Sequence, residues 1–254
     1  MVRTVRRPQR LRECLQSLAA QTFRNFELVL VDMSDGLTSS MVEEMREYLP
    51  ALRHLKLNGA RSRPAALNRG IESAEGNFIT ILDDDNLWGP DHLGNIVRDF
   101  NDADLVYTGV RVQTFTVAGE VMHERIHQLP FDFSRLLEGN YIFTVGTAFR
   151  RALWDEVGRY DERFPVYEDW EFLIRATHGR KVRALAGYSA ISRAFTGDVH
   201  LREHSANEAT DCARCRAALQ WKHRGLRKQY VHDFKKMRLL AQWWWQNLFT
   251  LSRA

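Results

Sequence analysis

Short runs of β-branched and aliphatic residues alternate with amphipathic helical stretches at close spacing, and this alternation constrains the fold more than any other feature. Phe26–Val31 runs into Asp32, Leu52–Leu57 follows, and Phe78-Ile79-Thr80-Ile81-Leu82 runs into Asp83-Asp84-Asp85-Asn86. Val2 and Val5 supply the end of an earlier strand. Pro8 suits the first turn of a helix whose apolar stripe is Leu11, Leu15, Leu18 and Ala19. A second helix runs through Met41, Met45 and Leu49 to Pro50, and a third spans Pro64–Ala74. Strand alternating with helix predicts an α/β fold with a mostly parallel, Rossmann-like sheet covered on both faces.

The second half reads differently. After a helix from Pro90 to about Phe100, Asp104–Val110 is a predicted strand, and Val112–His123 an antiparallel ribbon turning at Ala118-Gly119. Tyr141–Phe149, containing Gly146, is a further predicted strand, and Arg151–Val157 a short helix. Glu168-Asp169-Trp170-Glu171 opens another helix, where acids are favoured by the helix dipole. This predicts a mixed sheet after a parallel one, and a division into 1–110, 111–205 and a helical extension, 206–254.

Three carboxylates in succession repel one another and call for a cation. At the carboxyl end of a buried strand, hard oxygen ligands suit Mg²⁺ or Mn²⁺, particularly an ion that also holds phosphates. The bland reading is a solvated acidic turn. No Gly-x-Gly-x-x-Gly follows the first strand and no Gly-Lys-Ser/Thr loop occurs, so phosphates would need the metal and basic residues such as Arg61 and Arg63.

Charge is unevenly distributed. From Arg214 to Ala254 there are ten Lys/Arg and a single acid, Asp233, a local +9 against a net +4, which leaves −5 for the preceding body. The tail also carries Trp243-Trp244-Trp245. It reads as an interfacial helix on an anionic membrane, a helix packed on the body, or a self-association surface giving a homodimer. No nucleic-acid motif appears. Three cysteines make no disulfide framework, and Met1–Pro8 lacks the apolar core of a signal peptide, so the expected location is the cytoplasm, peripheral to the membrane if the tail binds it. Cys212-Ala-Arg-Cys215 has the spacing of half a zinc site without a second pair.

Six ordered segments resemble glycosyltransferase family 2, inverting enzymes of the GT-A fold, from Thr4 to about His204. They are Thr4-Val-Arg-Arg-Pro-Gln-Arg-Leu11; Leu18-Ala-Ala-Gln-Thr-Phe23 with Phe26–Asp32; Ala65-Ala-Leu-Asn-Arg-Gly-Ile71; Ala74–Ile79 with Leu82–Asn86; Arg150-Arg151 with Val157-Gly-Arg-Tyr-Asp161; and Glu168–Glu171. The resemblance implies a metal-dependent hexosyl transfer from a nucleotide sugar to an acceptor hydroxyl, of a glycan, a lipid-linked or a small molecule. It implies Thr4, Asp32, Arg63, Asn68, Asp83 and Asp84 on the donor, and Asp83, Asp85 and His204 on Mn²⁺ or Mg²⁺. It further implies Asp169 as catalytic base, with Glu168, Trp170 and Gly146 on the acceptor side. Trp170 is expected to raise the pKa of that base.

Departures from the pattern are a short first strand, Met33 where a second acid is usual, with Asp35 nearby, and Leu67 in place of an arginine. The Gln-x-x-Arg-Trp signature of processive synthases is missing. A nucleotidyltransferase would use similar strand-end acids, and a silent module acting as an adaptor is the third reading.

Overall fold

The computed structural model describes residues 1–34, 38–49, 51–57, 62–116, 118–195 and 206–231, the side chains of 206–210 excepted. Its first sheet is parallel. β1 (Val2–Thr4) lies between β2 (Leu28–Asp32) and β5 (Leu82–Asp83), and β3 (Leu52–Lys56) pairs with the far edge of β2. Thr4 is level with Asp32, and Arg3 with Asp83. The polar residues that end three strands are thereby brought to one edge. α1 (Pro8–Ala19) packs here through Leu11, Cys14, Leu15 and Leu18, all at most 2% exposed. Each such leucine contributes roughly 1.5–3 kcal/mol by burial. α2 (Ser39–Met45) and α3 (Arg63–Ser73) complete the alternating half.

The expected strand Phe78–Leu82 is two strands. β4 (Phe78–Thr80) pairs antiparallel with β10 (Thr147–Arg150) in a second sheet, whereas β5 pairs with β1. The apolar run serves two cores: Ile79 and Ile81 enter the larger one, and Leu82 enters the one under α1. Asp104–Val110 divides likewise, β7 (Leu105–Tyr107) joining β10 and β11 (Val182–Ala184) in the second sheet. β8 (Val110–Phe115) instead joins a third sheet with β6 (Leu87–Trp88), β9 (Val121–His127) and β12 (Ala190–Phe195). The β8–β9 ribbon turns near Gly119 at φ 87°, a left-handed conformation that glycine tolerates. The second and third sheets are mixed, and the first is wholly parallel.

Tyr141–Phe149 is not one strand. Thr144–Gly146 forms a 3₁₀ turn before β10, because Val145 O accepts the Trp88 indole N–H at 2.7 Å and Gly146 O accepts from Thr108 N at 2.9 Å. A Cβ on Gly146 would meet Val110 and Thr108 at 3.0–3.2 Å. α4 (His92–Asp99), α5 (Phe133–Glu138), α6 (Arg151–Val157) and α7 (Glu168–Thr177) cover the sheets.

The end of α8 (Ala206–Lys222) meets α7 through Lys222 and the following His223, and the turns to Val231 pack on α5, where Ser134 donates to Tyr230 O. Cys215, Leu219 and Val231 belong to the larger core. Lys222 Nζ reaches Glu171 at 2.6 Å and Asp161 at 2.8 Å, while Arg175 holds Glu171 from the other side at 2.8 Å. Burial opposes ionisation of Glu171, yet hydrogen bonds from His223 and Arg175 outweigh it and bring its pKa to about 2. Of the readings of the extension, packing on the body describes its first part; Trp243–Trp245 lie outside the described residues. Among the described residues no helix is long and apolar enough to cross a membrane.

Candidate active site

The strand-end acids are held by arginines. Asp83 accepts from Arg3 Nε at 2.5 Å and Nη2 at 3.2 Å, and Arg3 Nη1 reaches Glu168 across the cleft at 3.1 Å. Burial works against ionised Asp83, but Arg3 outweighs it and keeps the carboxyl below its ordinary pKa. Asp85 Oδ2 lies 2.5 Å from Arg7 Nη1, and Asp84 Oδ1 2.8 Å from Arg7 Nη2 without hydrogen-bond alignment. Behind this turn Arg193 donates from Nε to Asp85 O at 2.6 Å and from its backbone N to Asn86 Oδ1 at 2.9 Å, and it ion-pairs with Glu13 of α1.

Asp84 is different from its neighbours. It is wholly buried, accepting from Thr4 Oγ1 at 2.7 Å and Val5 N at 3.3 Å, and burial raises its pKa to about 6. Expected on the donor, Thr4 and Asp84 turn towards one another and fasten the end of β1 to the acidic turn.

Two other expected donor residues are also engaged within the fold. Asp32, 2% exposed, accepts from Ser34 N at 2.7 Å, Thr38 Oγ1 at 2.5 Å and His54 Nε2 at 3.1 Å. Burial alone would raise its pKa, but these bonds lower it. Asn68, 3% exposed, donates to Tyr160 O at 3.0 Å and accepts from Tyr160 N at 2.8 Å, locking α3 to the turn before α7. Arg63, at the start of α3, is exposed and its charge is felt at Asp83. Asp35, Arg61 and His204 lie outside the described residues.

Asp169 stands in the first turn of α7, after Tyr167 at φ 64°. Its Oδ2 accepts from Asn140 Nδ2 at 2.9 Å and Thr144 Oγ1 at 3.4 Å. Burial and the neighbouring Glu168 raise its pKa to about 6. The expected cause was Trp170, which instead is 2% exposed, points into the core and donates to Leu136 O at 2.6 Å; its backbone N–H lowers the pKa of Asp169. Glu168, on the acceptor side by expectation, is 4% exposed and paired with Arg3. Gly146 closes the turn that carries Thr144 and packs against Val110 and Thr108.

A cleft of about 270 Å³ joins the two clusters, lined by Asp83, Asn86, Asn140, Thr144, Asp169 and Ser192 among others. A larger cavity, about 380 Å³, opens at the other ends of β1, β2 and β4 among Phe23, Phe26, Phe78 and Trp88, and neither the acidic triplet nor Asp169 lines it. Chemistry, not volume, selects the smaller one. Sequence reasoning passed over Arg3, Asn140, Thr144 and Arg193. Each acts across at least 25 positions of chain, so no local spacing announces it.

Among the described residues, no three His, Cys, Asp or Glu side chains gather as a ready-made metal site. The acids nevertheless fit a hard cation: the donors are all oxygen, and Asp83 and Asp85 remain 27% and 21% exposed at the side chain.

A family model described as glycosyltransferase like family 2 matches residues 1–229. The chain therefore belongs to glycosyltransferase family 2. It is 28% identical over 193 residues to the uncharacterized glycosyltransferase YwdF of Bacillus subtilis (strain 168), covering 74% of this chain and 70% of that protein. Identity to a PGL/p-HBAD biosynthesis glycosyltransferase of Mycobacterium tuberculosis (strain ATCC 25177 / H37Ra) is 33% over 171 residues, 64% of this chain and 62% of that protein.

The fold is that of GT-A transferases. S. aureus TarS 1-349 in complex with UDP-GlcNAc superposes with TM-score 0.61 at 23% identity, covering 80% of this chain and 59% of that one. The mannosyltransferase PcManGT from Pyrobaculum calidifontis, in complex with GDP-Man and Mn²⁺, gives 0.55 at 21% identity, covering 75% and 55%. The chain spans less than two thirds of the mycobacterial relative and of both structures.

Proposed function

We propose that the protein transfers a sugar from a nucleoside-diphosphate donor to an acceptor hydroxyl with inversion, and that Asp169 is the base. The observation that carries this is the placement of Asp83 and Asp169 on opposite walls of one cleft, with their pKa values pushed apart. Separated acidities are how two carboxylates take different roles. The ligands of the two structural neighbours, UDP-GlcNAc in one and GDP-Man with Mn²⁺ in the other, support the donor class and a divalent cation.

Asp83 and Asp85 would hold Mn²⁺ or Mg²⁺, which when bound offsets charge developing on the leaving diphosphate. Asn140 and Thr144 fix the Asp169 carboxylate from one oxygen. A pKa near 6 leaves it ionised at neutral pH and basic enough to accept a proton in the transition state. The acceptor oxygen bonds to the anomeric carbon as the bond to the diphosphate oxygen breaks, and the acceptor proton passes to Asp169. Arg3, bridging Asp83 and Glu168, keeps the two walls in register.

Turnover of Asp169→Asn tests the assignment, with nucleotide binding measured alongside. Loss of transfer with binding retained supports it; unchanged turnover removes Asp169 from the mechanism. We place the acceptor contact at the Asn140–Thr144 turn. The basic tail is assigned to an anionic surface, and its test must cut after Val231, because residues up to that point belong to the core. Equal pelleting of the cut and uncut chains with phosphatidylserine liposomes would count against that assignment.

A further inference from the structure

The acids at the strand ends are neutralised by the chain itself. A guanidinium and a divalent cation compete for the same carboxylate lone pairs, so an ion that takes Asp85 Oδ2 must displace Arg7, which lies 2.5 Å from that oxygen. The two arginines are held differently. Arg3 is 13% exposed at the side chain and ties β5 to α7 through Asp83 and Glu168. Arg7 is 28% exposed, and both of its acids lie in a single turn. Releasing Arg7 leaves Asp84 held by Thr4 and Val5, so the end of β1 stays fastened to the acidic turn.

The surroundings of Arg7 suit an anion. It is the N-cap residue of α1, which has no side-chain cap and no acid in its first turn. Arg6, at φ 49°, turns the chain so that Arg7 reaches back over the acids. A guanidinium let go from Asp85 therefore departs from the positive end of a 12-residue helix, where phosphate charge is favoured.

We infer that Arg7 is an exchange residue: it neutralises Asp85 while no metal is bound, yields that oxygen to the divalent cation, and then pairs with the diphosphate of the donor. The inference rests on the nucleotide-sugar reading above. It makes metal and nucleotide bind cooperatively, since the metal alone must break an ion pair that the diphosphate replaces. An Arg7 that merely held the turn would help both ligands or neither.

The experiment uses the full chain as wild type, Arg7→Gln, Arg7→Lys and Asp85→Ala. Mn²⁺ alone is titrated by the electron paramagnetic resonance signal of the free ion. UDP, GDP, dTDP and CDP are titrated with Mn²⁺ by calorimetry, and melting temperatures confirm folding. In Arg7→Gln, Mn²⁺ alone should bind roughly tenfold more tightly and the preferred nucleotide at least roughly tenfold more weakly, the scale of one charge-assisted hydrogen bond. Arg7→Lys keeps the charge without the fork and should lie between on both measures. Affinities that move together, or not at all, in both variants overturn the exchange while wild-type nucleotide binding and its loss in Asp85→Ala keep the donor reading. A wild type that binds none of the four nucleotides removes the donor reading and the exchange with it.

Discussion

The two walls of the cleft treat the same side chain in opposite ways. At the strand ends Asp83 meets a fork of guanidinium and stays ionised below its ordinary pKa. On α7, the side-chain donors to Asp169 among the described residues are the neutral Asn140 and Thr144, and burial, with Glu168 beside it, pushes it up to about 6. Asp83 has a guanidinium bonded to it, whereas Asp169 feels the Arg3 charge without a bond to it among the described residues. The difference lies in the partners, not in the residue type.

Breaking the contrast at its basic side should have the largest effect. Asp169→Asn should lower kcat by roughly 10²–10⁴, the range of general-base catalysis, with the nucleotide dissociation constant within about twofold of wild type. Next comes the support of that wall. Glu171 is wholly buried between Arg175, Lys222 and His223, and Glu171→Ala should cost about 3–5 kcal/mol in urea unfolding by stranding the Arg175 and Lys222 charges. The folded pKa of Glu171 lies below its unfolded value, so its stabilisation is present above about pH 4.5 and fades as pH falls towards about 2.

The metal side should respond more mildly. Arg193→Gln loses the bond to Asp85 O and should weaken Mn²⁺-dependent nucleotide binding by roughly tenfold, with Arg193→Lys recovering part of it. The smallest effect sharpens the contrast. Asp169 must be ionised to act, so kcat should fall as pH drops through about 6, and Glu168→Gln, which removes a charge that raises this pKa and frees Arg3, should move that limb to lower pH. A limb that moved upward would mean that Glu168 does not set the acidity of the base.

Much of the fold was legible because it rests on local pattern. The apolar stripe of α1, the parallel strands ending at Asp32 and Asp83, helix Arg151–Val157 and the acids opening α7 are periodicities within a few residues. The misreadings have a common cause. Phe78–Leu82, Asp104–Val110 and Tyr141–Phe149 are unbroken apolar runs, and an apolar run does not tell which core each residue enters. Changes of sheet at Ile81 and Thr108-Gly109, and the 3₁₀ turn at Thr144, answer to partners far along the chain.

The sequence by itself determined which carboxylates exist and that they end strands or open a helix, since strand ends and helix starts are short-range properties. Only the tertiary structure decided what each one is worth chemically. Asp84, in the centre of the acidic triplet, is sealed by Thr4; Asp83 is claimed by Arg3, 80 positions away; Asp169 is left to amide and hydroxyl donors. Acidity depends on burial and on charges within a few ångströms, and those distances come into being only when remote segments meet.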